Sequence, residues 1–161
     1  QPAPVAVVGG LRFTALAPGR THVCAIDADG AAWCWGANDQ GQLGDGSNDD
    51  RLAPVEVAGG VRFATLASGI AHTCGVADDG TAWCWGANAD GPLGDGTDEP
   101  TTEPVEVGGG LAFELLAPGE EFTCGLTVEG IAHCWGGNRA GWLGDGTVED
   151  HLDPTPVAPV A

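Results

Sequence analysis

Gly69-Ile70-Ala71-His72-Thr73-Cys74, then Asp79-Gly80-Thr81-Ala82-Trp83-Cys84-Trp85-Gly86 and Leu93-Gly94-Asp95-Gly96, decide the architecture because the chain writes them three times. Cys24, Cys74 and Cys124 fall in register at a period of 50, as do Cys34, Cys84 and Cys134. The steps Trp35-Gly36, Trp85-Gly86 and Trp135-Gly136 share that register, and so do the loops at Leu43, Leu93 and Leu143. A repeat of this length with Gly and Trp punctuation and no helical periodicity predicts an all-β chain of stacked or radially arranged units. A single unit is too small to bury an adequate core, so neighbouring units, cross-links or other chains must complete it.

Within the second unit the alternation is clearest. Pro54-Val55-Glu56-Val57 reads as a short strand that ends at Ala58-Gly59-Gly60. Phe63 to Ala67, His72 to Val76 and Thr81 to Trp85 read as three more, giving four strands per unit. Counting from the outer strand, the domains are 1–50, 51–100 and 101–150, with 151–161 as a C-terminal outer strand or tail. The tight turn Asp78-Asp79-Gly80 pairs Ala77 with Thr81 and so sets Cys74 opposite Cys84. Opposed residues on antiparallel strands come within reach of disulfide geometry. The same count pairs Cys24 with Cys34 and Cys124 with Cys134. No CxxC knuckle is present to favour zinc, and disulfides imply an oxidising, extracellular location.

Charge narrows the partners. The formal net charge is −18, from 5 Lys+Arg against 23 Asp+Glu. Such a surface repels phosphate backbones and anionic lipids, so neither nucleic acid nor membrane insertion is expected. No apolar run is long enough to span a bilayer. The sequence begins at Gln1 and has no Met, and the expectation is a mature secreted chain whose leader has been removed, or an excerpt of a longer protein.

The quoted phrases, with Ala87-Asn88 after the Trp-Gly step and Thr97 after the Gly-Asp-Gly loop, resemble the repeat of the regulator of chromosome condensation family over nearly the whole chain. The resemblance implies a β-propeller, each unit forming one four-stranded antiparallel blade. The family's eukaryotic founder is a chromatin-bound nucleotide exchange factor, a role that an acidic, disulfide-paired chain does not suit. Its secreted bacterial relatives, with paired cysteines, are more similar to this chain. The third unit departs from the repeat: Phe122 stands where His22 and His72 do, and His133 where Trp33 and Trp83 do.

Propellers close with more blades than three, so an incomplete ring finished by other copies is expected. Outer-type strands at Pro4, Val5 and Val7, at Pro54 to Val57, at Pro104 to Val107 and again at Pro154, Val157 and Val160 make four for three inner sets, which would allow strand donation between subunits. Nothing resembles an active site: no nucleophile elbow, no metal-type His pair, and His22 and His72 read as packed, hydrogen-bonding side chains. No cofactor is expected, with calcium the alternative, held by loop acids Asp45, Asp49, Asp95, Asp98, Asp145 and Glu149. Trp142, alone at the loop position that Gln42 and Pro92 occupy, is the candidate binding anchor. The functional expectation is a non-catalytic extracellular structural protein that assembles with other copies of itself into a filament or closed oligomer. The alternative is a secreted binding module that grips a protein or glycan with its acidic loops.

Overall fold

The computed structural model describes residues 3–159. Twelve strands form three four-stranded antiparallel sheets in simple chain order. The first sheet is β1 (Phe13–Pro18), β2 (His22–Asp27), β3 (Ala32–Gly36) and β4 (Arg51–Glu56). The second is β5 (Phe63–Ser68), β6 (His72–Ala77), β7 (Ala82–Gly86) and β8 (Thr101–Glu106). The third is β9 (Phe113–Pro118), β10 (Phe122–Thr127), β11 (Ala132–Gly136) and β12 (His151–Pro156). The three sheets do not close on one another, as an incomplete propeller should not.

The hairpin arithmetic holds. Gly80, at φ +87°, turns the β6–β7 hairpin, Ala77 N–H donates to Thr81 O at 2.9 Å, and Cys74 lies opposite Cys84. All three predicted pairs are bridged, Cys24–Cys34, Cys74–Cys84 and Cys124–Cys134, each with Cα atoms 4.1 Å apart. No free cysteine occurs among the described residues. The glycine of the Trp-Gly step is required by close approach. Gly86 has φ +108°, and a Cβ there would lie 2.5 Å from the Ala71 carbonyl oxygen.

Two expectations are corrected. Each outer strand joins the preceding sheet rather than opening the next, so the sheets run 13–56, 63–106 and 113–156 and straddle the boundaries counted from the repeat. The C-terminal segment with Pro154 is therefore not spare: it is β12, paired to β11 of its own blade, and Val157 N–H donates to Ala132 O. At the other end Pro4, Val5 and Val7, expected as an outer strand, form no strand, and Val5 stays 73 % exposed. Val160 lies outside the described residues.

The core is built between blades rather than within them. The disulfide face of the first blade, with Ile26, Leu43 and Val57, closes over Phe63 and Trp85 of the second. The disulfide face of the second, with Val76, Leu93 and Val107, closes over Phe113, Leu116 and Trp135 of the third. Full burial of a side chain the size of Phe63 contributes roughly 2–3 kcal/mol, so each such joint is a main source of stability.

Candidate functional site

Each joint carries a buried polar relay at its centre. At the first, the Thr73 hydroxyl donates to Gln42 O at 2.9 Å, the Trp85 indole N–H donates to the same oxygen at 3.0 Å, and His22 Nε2 sits 2.8 Å from Thr73 Oγ1. Thr73 has one hydroxyl proton and gives it to Gln42, so His22 Nε2–H is the donor and its Nδ1 is the bare nitrogen. At the second joint His72, Thr123, Pro92 O and Trp135 repeat the pattern, at 3.0, 2.8 and 3.0 Å. His22 Nδ1 is buried without a partner. Burial lowers both imidazoles to about 4, with the neighbouring His22 adding to the effect at His72. Both rings are neutral at pH 7 and act as fixed donors, the packed role expected of them.

The crossing loops are folded units. Asn38 is fully buried, its Oδ1 accepts from Leu43 N–H at 2.9 Å, and its amide donates to Asp45 and to the Ser47 and Asp49 carbonyls. Asn88 and Asn138 take the same place in the later blades. Asn88 stands in the repeat phrase that carries the family resemblance, and Asn38 and Asn138 share its column, but nothing in the sequence gives the column its buried, loop-bracing role.

The aspartates of the three Gly-Asp-Gly loops are occupied by this framework. Asp45 Oδ2 accepts from the Arg51 guanidinium at 2.7 Å while its Oδ1 holds Ser47. Burial opposes ionisation of Asp45, yet the Ser47 and Arg51 bonds outweigh it and hold its pKa below the usual carboxylate range. Asp95 caps Thr97 in the same manner. Asp145, held by the Thr147 amide and hydroxyl and by His151, is shifted down well below the ordinary range. Among the described residues no group of three or more His, Cys, Asp or Glu is placed to hold a metal ion.

Trp142 is 42 % exposed and stacks on Phe122, ring centroids 5.7 Å apart. The loop candidate thus lies on the free side of the third blade beside the very residue that breaks the histidine series. This side is one of two open flanks. It presents a disulfide face, Cys124 to Cys134, with no aromatic partner from a following blade. The opposite end presents the other half of a joint: Phe13 and Trp35 stack at 5.8 Å, only half buried, with Leu16 65 % exposed.

Three blades of four antiparallel strands, joined by a relay that repeats from one blade to the next, define part of a β-propeller of repeat type. Residues 29–76 and 79–126 match the regulator of chromosome condensation (RCC1) repeat, a second description of which matches 13–42 and 63–91, and the chain belongs to that family. Human WBSCR16 superposes with a TM-score of 0.83 at 22% identity, over 96% of this chain and 40% of that one. Yeast RCC1 (Prp20), solved bound to Kap60, gives 0.82 at 22% identity, over 93% of this chain and 38% of that one. The ectodomain of the Physcomitrella patens receptor kinase CR4 gives 0.54 at 28% identity, over 80% of this chain and 29% of that one. The chain thus spans about two fifths of the length of the first two structures. No curated protein matches its sequence.

Proposed function

We propose that this chain is a non-catalytic, protein-binding propeller module of an extracellular compartment, serving a structural role through its blade flanks. The observation that carries this reading is the pair of unmatched half-joints at the two ends, apolar surfaces of a kind that the interior of the same molecule buries. Three disulfides suit an oxidising environment, where cytosolic reductants do not reach them. The plant receptor ectodomain supports an extracellular setting for such blades, and the Kap60 complex of the yeast relative supports protein as the partner class. Association with further copies, as a filament or closed oligomer, is one form of such contact.

The second reading, recognition of a protein or glycan by the acidic loops, draws on Trp142, an exposed indole beside a loop. A photoreactive amino acid placed at position 16 on the first-blade flank, or at position 98 in a crossing loop, separates the two in the secreting host. Protein adducts from position 16 are expected. Adducts from position 98 alone, or retention of the chain on immobilised glycans, would move the function to the loops.

A further inference from the structure

We propose that the third-blade flank is built to receive the first-blade flank of a second copy of this chain, head to tail, in the register of the interior joints. The inference rests on the reading of the flanks as contact surfaces and adds the identity of the partner. Four positions carry it, and at each the two ends of the chain fit one another.

The centre of the joint is the first. Interior joints pair His22 with Thr73 and His72 with Thr123, polar with polar. In the corresponding columns the free third blade carries Phe122 and the free first blade carries Val23. Had only one been replaced, the surviving partner would be left with a buried, unsatisfied polar group. Both ends are changed, so Phe122 meets Val23 as an apolar pair. The backbone part of the relay survives, because the Trp35 indole N–H takes the place of Trp85 and Trp135, and the Trp142 carbonyl takes the place of Gln42 and Pro92.

The remaining positions are sockets. At the interior joints Gly44 lies against the Trp85 indole and Gly94 against that of Trp135, whereas Gly144 meets no indole and has only Val157 Cγ1 beside it, the place that Trp35 of a second copy would take. Gly41 lies against Thr102 and Gly91 against Leu152, whereas Gly141 has only its own loop carbonyl at 3.8 Å. The residue that matches Thr102 and Leu152 is Leu52, which is 98 % exposed. A leucine bare to solvent at one end and an empty glycine shelf at the other are the two halves of a contact made twice inside the molecule.

The contact is heterologous, so repetition gives a ring if the rotation closes and a fibre if it does not. Each copy carries a formal charge of −18, so like-charge repulsion opposes approach and salt should strengthen the contact by screening it. No strand needs to be exchanged, since β12 already completes the third blade.

The test is sedimentation velocity on the oxidised full chain over a concentration series at low and high salt. The wild type is expected to associate, more strongly at high salt. Leu52→Glu, at a position without packing in the single chain, and Phe122→Glu are each expected to weaken association by at least about tenfold, the behaviour of central contact residues. Mixing these two variants should give a 1:1 dimer, because each retains one intact flank. Val23→Thr alone should weaken association, and Val23→Thr with Phe122→His, which reinstates the interior pair, should restore it. A wild type that stays monomeric at high salt, or variants that assemble like the wild type, would overturn the proposal. Photoadducts to a different protein from position 16 would in that case leave the protein-contact reading standing, whereas adducts from the loop alone would remove both.

Discussion

The interior joints and the open flanks share one scaffold and differ in a handful of side chains. Inside, a neutral histidine donates to a threonine that hands its proton to a loop carbonyl, and Trp85 and Trp135 are fully buried. At the ends the histidine becomes Phe122, the threonine becomes Val23, and Trp35 is left half buried. The difference separates what holds a blade to its neighbour from what holds a blade together. Hairpin registers and disulfides are the same in all three blades, ends included. Only the joint chemistry changes with position.

The sharpest way to break this comparison is to truncate the same column at a joint and at an end. Trp135→Ala should cost about 3–5 kcal/mol in urea unfolding, the range for a large buried aromatic, and Trp35→Ala in dilute single chains markedly less. Equal losses would show that the flank indole contributes as much to the fold as the interior one.

The relay histidines give the next largest effect. Both imidazoles are lowered to about 4 in the folded chain, against about 6.5 when unfolded. Between those values the unfolded chain binds more protons, so stability is complete above the unfolded pKa and falls as pH drops toward 4. The loss should approach about 3 kcal/mol for each histidine. The loop aspartates, shifted downward, add their own loss only at lower pH. Unfolding midpoints at pH 7, 5.5 and 4.5 check this, and His72→Gln, which keeps a donor for Thr123, should remove about half of the slope. A flat profile would mean that the joints are not the dry sites described.

The smallest effect belongs to the rim. Arg139 reaches Asp90 of the second blade at 3.1 Å and Glu121 of its own at 3.5 Å, with its side chain 63% exposed. Arg139→Ala should cost less than about 1 kcal/mol and depend on salt. A larger loss would place joint stability at the solvent edge rather than at the relay.

Local pairing was legible in the sequence because it is dictated by chain neighbours. The turn at Asp78-Asp79-Gly80 fixes the β6–β7 register and thereby the Cys74–Cys84 bridge, with no information from elsewhere. The ownership of the outer strands was not legible. Alternation marks Pro54 to Val57 as a strand, but a segment between a long loop and a glycine turn can pair with either neighbour, and only the β3–β4 ladder decides. The same ambiguity made the C-terminal strand look spare, although it pairs with β11 of its own blade. The relay joins residues 31 to 51 positions apart, so no local pattern announces it. Its trace is the histidine column itself, in which Phe122 stands out while its counterpart Val23, one more apolar residue in a strand, does not. Trp142 stands out in the sequence as a side chain, whereas the interior joints use the backbone carbonyl of its column.

Every disulfide lies within one hairpin, and none crosses a joint. A nascent cysteine therefore finds its partner before the next blade exists, and the pairing is settled by a turn of three residues rather than by the finished fold. Oxidation and blade stacking become separate problems. A gene encoding such units can gain or lose whole repeats without any cysteine changing its partner, so the covalent framework sets no limit on how long the array becomes.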